Sequence, residues 1–423
     1  MSKYGQIQNL PVSGTSLETK AASLARSLID SGDAMGIQVH VIQKGKPVLN
    51  LSAGVMGVFD PRPVLEDSLF PVFSCTKAIT SVMLHKLVQE GLLNYNDRVE
   101  THWPEFTSRI TNDKDKTRKS LITVSHLLSH RSGLYDAGNS MLQEDPMAIA
   151  NWDQMISVME NAVPSHDPGE KMVYHALSFG WLVGGLIEKV SKKKFETVFK
   201  EFKDAVRLGD HGYVGIPPGL EARLSAVHFE VKELFSHLES LPDQQLNLRD
   251  AKELQGRTQS SLTSMKINPM ASNPSFFNQL KIRRAVIPAA SGNFSARGLA
   301  QVYSHLVDCH SSSSLTQYVN AETVAMMRTL PEGGDSFGLG FRVYSFEDKG
   351  STRDSGFGHA GLGGSIALCD LSHQVSFAIV VNKLSLLKPV ATQSFVRLIC
   401  EELQLGNLVQ LTERSVDMSP LNA

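Results

Sequence analysis

Apolar residues recur at helical spacing over LETKAASLARSLIDS, residues 17–31, where Leu17, Ala21, Leu24, Leu28 and Ile29 share a face and Gly32 offers a stop. The period then drops to two. GIQVHVIQ, residues 36–43, alternates, GKP turns the chain, and VLNLSAG reads as the return strand. A helix is predicted from Ser74 to just before Gly91, two or three more within 145–160 and 177–206, another over 218–241 and another over 296–307. Towards the C-terminus FGLGFRVYSF, GSIALCDL and VSFAIVVNK read as three strands, the last two joined by a turn at Ser372-His373-Gln374. VATQSFVRLICEELQ, residues 390–404, follows as an amphipathic helix.

Strands at both ends with helices between predict an α+β fold: an antiparallel sheet built from both chain termini, flanked by terminal helices, with an all-helical lobe inserted. In residue terms, 1–16 is a flexible N-terminus, and 17–72 with 330–405 form the α/β lobe. Residues 73–329 form the mainly helical lobe, with a poorly regular insertion at 207–290, and 406–423 is a tail. The insertion ends in a polar run with little periodicity, QGRTQSSLTSMKINPMASNPS, which reads as an extended or lid segment. The cleft between two lobes is the expected place for a ligand.

Composition narrows the function classes. Hydrophobic residues at 42% and charged residues at 20% suit a soluble globular chain, and a net charge of −2 gives no bulk attraction to nucleic acid or anionic membrane. Lys114, Lys116, Arg118 and Lys119 alternate with Asp113 and Asp115, which reads as a solvated loop. Cys75, Cys309, Cys369 and Cys400 are scattered and form no C-x-x-C pair, as suits a reducing compartment. MSKYGQIQNLPVSGTS lacks the apolar core of a secretory signal, and no run of 18 apolar residues occurs, so a cytoplasmic protein without a membrane span is expected.

The candidate chemistry lies in FSCTKAIT, residues 73–80. Ser74 and Lys77 stand three apart at a helix start, so hydroxyl and amine share a face. A Ser hydroxyl needs a base, and a Lys is a base only where burial or a cationic neighbour lowers its pKa. The helix N-terminus also favours developing negative charge. The alternative is an ordinary helix cap followed by a surface Lys. S-x-x-K recurs as SKKK at 191–194 and SLLK at 385–388, both in polar surroundings. Ser74 differs in its apolar flanks: Leu69, Phe70, Val72 and Phe73 before it, Ile79, Met83, Leu84 and Leu87 after it.

SCTK, HLLSHRSGL at 126–134, PGEKMVYHALSFGWLVGGLIE at 168–188 and GHAGLGGS at 358–365 occur in that order. The ordered set resembles the serine β-lactamase and penicillin-binding-protein superfamily, near the class C β-lactamases. It is more similar still to the family-eight carboxylesterases and the animal β-lactamase-related proteins. NPSFFNQLKIRRAVIPAASGNFSARGLAQVY, residues 273–303, resembles those esterases too, and the likeness spans about residues 20–405. It implies a β-lactamase/transpeptidase-like fold in one domain, with Ser74 as the acylated nucleophile, Lys77 as its base partner and Tyr174 as the family's Tyr-x-Asn tyrosine. Beside a cationic Lys, that phenol is expected to have a lowered pKa and to shuttle protons. By position the oxyanion hole falls to the backbone N–H groups of Ser74 and Leu362, with Gly361, Gly363 and Gly364 allowing close approach. Two departures stand out. The family Asn falls at Ala176, and the Lys-Thr-Gly element falls at His359-Ala360-Gly361. Both disfavour a carboxylate-bearing lactam and leave a neutral ester equally well held.

Other motifs carry less. Gly334-Asp335-Ser336-Phe337-Gly338 fits G-x-S-x-G without the strand–helix context of a nucleophile elbow. His126 and His130 are four apart, as metal ligands on one helix face would be, without the Glu of a zincin. GHAGLGGS lacks the Lys-Ser/Thr of a P-loop. The expectation is a cofactor-free, metal-free serine hydrolase, a carboxylesterase acting on small or medium acyl esters. A peptidase or amidase of the same fold is the enzyme alternative, and a catalytically weak scaffold or self-assembling protein is the alternative of another class. The expected partner is a small-molecule ester or peptide-like substrate, with no nucleic acid, and a homo-oligomer is left open.

Overall fold

The computed structural model describes residues 7–8, 14–229, 273–307, 318–331, 336–385 and 389–409. The expectations for most of the N-terminal segment, for a helix over 230–241, for the polar run to 272, for Cys309, for Gly334 and Asp335, for most of SLLK and for the tail beyond 409 lie outside them.

Alternating strands from the two chain ends meet in one antiparallel sheet. Its order runs Ile7–Gln8, Lys46–Gly57, Gly36–Gln43, Val375–Val381, Ile366–Asp370, Ser351–Ala360, Arg342–Asp348, Asn407–Leu408, with Asp60–Pro63 paired to Lys46–Gly57. The seam between the ends is the ladder from Ile37↔Val381 to Gln43↔Val375. Both faces of these strands are covered. Ile37, Val39, Val41, Leu368, Phe377 and Ile379 face the core under the terminal helices Ser16–Ser31 and Val390–Glu402, with Ala21, Ala25, Phe395 and Ile399 packed on them. The intervening Ala367, Cys369, Ala378 and Val380 face the other core. Small residues there let the helix Ala296–Val307 lie close, and Ser376 donates its hydroxyl to the Ala300 carbonyl at 3.0 Å. The expected α+β fold with an antiparallel sheet from both termini is the observed one. The helix Ala296–Val307 packs on the sheet, however, where sequence boundaries had grouped it with the helical segment.

The helix Cys75–Gln89 is buried on nearly every side, from Cys75 through His85 and again at Leu87. An all-round buried helix forms the middle of a lobe rather than its surface. Ser178–Ser191 packs along it, and Trp152–Asn161 and Phe195–Ala205 pack on Ser178–Ser191. No helix among the described residues is long and apolar enough to cross a membrane.

Three expectations are corrected here. Residues 218–229 hold a 3₁₀ turn at Glu221–Arg223 and a two-residue strand at His228–Phe229, not the start of a helix. The strand Ser351–Ala360 was missed: a register shift between Arg353 and Gly356 breaks its alternation, so the period-two signal fails. The basic stretch is not a loop, although Lys114 and Lys116 are solvent-exposed as expected. It is the helix Asp113–Ser120, and Lys119 is fully buried, its Nζ donating to the carbonyls of Met159 and Glu160 at 2.8 Å each. Those carbonyls belong to the last turn of Trp152–Asn161, so Lys119 satisfies helix-end acceptors that would otherwise be buried unpaired.

The seam strand gives a direct test of the fold. Phe377 is fully buried and lies opposite Val41 and Leu368. Phe377→Ala should cost about 3–5 kcal/mol in urea unfolding. A loss under about 1 kcal/mol would mean that the strand joining the termini is not core structure.

Candidate active site

The chain enters the site from the short strand Phe70–Pro71, which pairs with Gly292–Phe294, itself paired with Gly212–Val214. Phe73 then takes a left-handed φ of 45°, a sterically costly turn for a bulky residue, and throws Ser74 to the head of Cys75–Gln89. Ser74 makes no side-chain cap bond. Its Oγ lies 3.2 Å from Lys77 Nζ, and the Ser74 hydroxyl is near enough to the Tyr174 phenol to favour its ionised form. The ordinary-cap reading of FSCTKAIT therefore fails.

Lys77 is fully buried, and Nζ lies 2.8 Å from the Ala176 carbonyl and 3.1 Å from the Ala289 carbonyl. Burial brings its pKa down from the ordinary lysine range to about 7. In the neutral form an amine has two N–H bonds and one lone pair. The two carbonyls take the N–H bonds, which leaves the lone pair for the Ser74 hydroxyl. The carbonyl of Ala289 is held there by stitching: Val72 N–H donates to Gly292 O at 2.9 Å, Gly292 N–H to Thr76 Oγ1 at 3.0 Å, and Thr80 Oγ1 to Pro288 O at 2.7 Å.

Tyr174 lies across Lys77, with Nζ 4.9 Å from its ring centroid. The expected lowering of its pKa is not observed. Desolvation raises it, and the hydrogen bond with Ser74 offsets this only in part. With a pKa of about 7 the amine beside it is charged only part of the time at neutral pH, so burial of the phenol dominates. At neutral pH the group is a phenol, fit to donate a proton rather than to start as a base.

His359 ends the strand Ser351–Ala360, its ring 6.3 Å from that of Tyr174. Its Nδ1–H donates to the Ala360 carbonyl at 2.8 Å, which leaves Nε2 as a buried acceptor without a partner. Burial, helped by Lys77, lowers its pKa to about 3, so it is a neutral imidazole. The Cys75 thiol, pushed up to about 12 by burial, donates to the His359 carbonyl at 3.3 Å and ties strand end to helix start. Gly361 is required there: a Cβ would stand 2.3 Å from the Val72 carbonyl. Leu362 lies in the turn that follows. Among the described residues neither the Ser74 nor the Leu362 backbone N–H meets an acceptor.

The structure thus gathers Ser74, Lys77 and Tyr174 around the Lys77 amine, with the His359 ring beside Tyr174, Gly361 against Val72 and Cys75, and Leu362 next in the chain. Sequence reasoning missed the two carbonyls that hold Lys77, since a main-chain acceptor has no residue signature. It also missed Phe337, which packs edge-on to His359 with centroids 5.7 Å apart and belongs to the same small cluster as Tyr174 and Met172. The G-x-S-x-G serine, Ser336, leads into an extended bridge between Phe337 and Arg342, not into a helix. His126 and His130 share no helix face. His126 lies within Val124–Leu128, its Nδ1 accepting from Thr123 N–H, and His130 lies beyond the helix end.

The Beta-lactamase family profile matches residues 21–398. Among curated proteins, the chain is 28% identical over 355 residues to the Esterase/beta-lactamase LipL of Mycobacterium tuberculosis, covering 82% of this chain and 77% of that one. Among solved structures, it superposes on a family VIII carboxylesterase with a TM-score of 0.71 at 22% identity, covering 93% of this chain and 99% of that one. It superposes equally well on a penicillin-binding protein homolog from Caulobacter crescentus, with a TM-score of 0.72 at 23% identity, over 93% and 98% of the two chains. These two likenesses concern the fold.

The electrostatics of Lys77 can be read directly. In protein labelled with ¹³Cε-lysine, and with Lys77→Arg for assignment, the Lys77 resonance should titrate near pH 7. A midpoint above about 10 would refute the neutral-amine geometry. The linkage has a definite sign. The folded pKa lies below the unfolded one, so the unfolded chain binds more protons between them. This Lys opposes folding in full below pH 7, and less and less as the pH rises towards its unfolded value.

Proposed function

This chain belongs to the beta-lactamase family, and on that premise we propose that it is a serine carboxylesterase acting through an acyl-enzyme on small or medium acyl esters. The observation that carries the reading is the buried Lys77 Nζ, 3.2 Å from Ser74 Oγ and 2.8 and 3.1 Å from the Ala176 and Ala289 carbonyls.

Lys77 takes the Ser74 proton as Oγ attacks the ester carbonyl carbon. The carbonyl π pair moves to oxygen, and the oxyanion is met by the backbone N–H groups of Ser74 and Leu362. Collapse breaks the bond to the alcohol oxygen. Tyr174 gives that oxygen its proton and is reprotonated from Lys77. In the second half water attacks the Ser74 ester, passes a proton through Tyr174 to Lys77, and the proton returns to Oγ as the acid leaves. The sum is ester plus water to acid plus alcohol.

A neutral ester fits this site better than a carboxylate-bearing lactam. Where the family pattern has a Lys, His359 stands uncharged, and Ala176 offers no side-chain amide. A scaffold role is poorly supported, because a scaffold has no use for a buried amine held 3.2 Å from a Ser hydroxyl.

Intact-mass spectrometry after a fluorophosphonate probe, with turnover of p-nitrophenyl butyrate, tests the proposal. Wild type should take one adduct, and Ser74→Ala and Lys77→Ala should take none. Each should lose about 10³-fold or more in turnover. Wild-type kcat/KM should rise with pH through about 7, as the Lys77 amine loses its proton. A folded wild type that takes no adduct and turns over no ester would overturn the reading.

A further inference from the structure

The HLLSHRSGL stretch has no part in the mechanism above, yet it closes around Tyr174. His130 is fully buried and held at a left-handed φ of 60°, a conformation that His and Asn tolerate better than most residues. Its carbonyl accepts the Val173 N–H at 3.0 Å, and its Nδ1 accepts the His175 N–H at 3.1 Å. One residue thus holds the backbone on both sides of Tyr174. Its ring lies 4.6 Å from the Tyr174 ring and 5.0 Å from that of Phe179.

A second layer locks this arrangement. His175 Nδ1–H donates to the Val173 carbonyl at 2.7 Å, its Nε2 accepts the Ser132 hydroxyl at 2.7 Å, and Ser132 Oγ accepts the Leu134 N–H at 3.2 Å. Ser132 and His175 are both fully buried, so this Ser–His pair serves as a brace and not as a second nucleophile. Because Nδ1 of His130 accepts, its proton sits on Nε2, which is buried against the rings of Tyr174, Phe179 and Phe337 and has no hydrogen-bond partner. Burial, together with His175, Lys77 and His359 nearby, keeps this imidazole uncharged.

We propose that His130 is a positioning residue for Tyr174: its carbonyl and Nδ1 fix residues 173–175 so that the phenol reaches Ser74. The role rests on the Ser74–Lys77–Tyr174 reading. His130 itself makes no hydrogen bond to Ser74.

Two variants separate its parts. His130→Phe keeps the ring and removes the acceptor; His130→Asn keeps an acceptor and tolerates the backbone angle. With p-nitrophenyl butyrate, His130→Phe should lower kcat about 10- to 100-fold, with KM changed by no more than about threefold. It should still take one fluorophosphonate adduct. His130→Asn should keep kcat within about fivefold of wild type. In a Tyr174→Phe background His130→Phe should cost nothing further, because the hydroxyl it places is gone. An undiminished His130→Phe effect in that background overturns the proposal. So does a His130→Asn enzyme as slow as Tyr174→Phe, which decides the matter even if His130→Phe does not fold. Full activity in Ser74→Ala would instead sink the underlying mechanism, a different result on a different variant.

Discussion

Lys77 buries an amine whose two N–H bonds meet the Ala176 and Ala289 carbonyls, and the geometry that remains turns one lone pair towards Ser74. Without those carbonyls the amine would be an unsatisfied donor in a dry interior, at a cost of about 1–3 kcal/mol for each group left unpaired. With them its neutral form is favoured, because a charge there would have to give up its hydration, and among the described residues no carboxylate pairs with it. Much of the helical lobe follows from this requirement. The two acceptors come from segments more than a hundred residues apart in sequence, and each has to be brought to the same atom.

The fold meets the requirement in separable ways. On one side, 288–292 is sewn to Cys75–Gln89 by two hydrogen bonds, through Thr76 and Thr80, and to the segment ahead of it by a third, through Val72. On the other, 173–175 is clamped by His130 and braced by Ser132. The third side is the end of the strand Ser351–Ala360, pressed so close that Gly361 admits no side chain. That strand belongs to the sheet whose seam joins the chain ends, so the packing that stabilises the protein also sets where His359 stands.

How much of this the sequence disclosed depended on where the information resides. The terminal helices and seam strands were legible because one-sided or two-sided burial writes itself into period and apolarity. Ser351–Ala360 was not, since its bulge interrupts the alternation. Lys119 misled because a charged side chain normally marks solvent, and here its Nζ caps a helix end inside the protein. In the site, Ser74, Lys77 and Tyr174 stood out through motif order, and the structure gathers them. The apolar flanks of FSCTKAIT pointed to the desolvation of Lys77, but not to that of Tyr174, whose pKa is moved up by burial where adjacency to a Lys suggested down. The Tyr174 enclosure is built by distant segments, and no pattern local to it encodes that burial.

The groups closest to Ser74 share one feature. Burial disfavours the charged form of each: Tyr174, His359 and Cys75 are neutral at pH 7, and Lys77, brought to about 7, becomes neutral as the pH rises through that value. A fixed charge does act from further out, since the Arg342 guanidinium lies 5.9 Å from the Phe337 ring and helps keep His359 unprotonated. On the proposed mechanism the active form, with Lys77 deprotonated, holds no charge at the reacting atoms, and a neutral ester enters without an ion pair being broken. Charge appears only as Oγ attacks, with an ammonium on Lys77 and an oxyanion by the Ser74 and Leu362 amides. Opposite charges a few ångströms apart attract strongly in a dry site, and this attraction exists in the transition state and not before it. The burial that makes Lys77 a burden to the folded protein is thus what lets it act as a base and then stabilise the charge it creates.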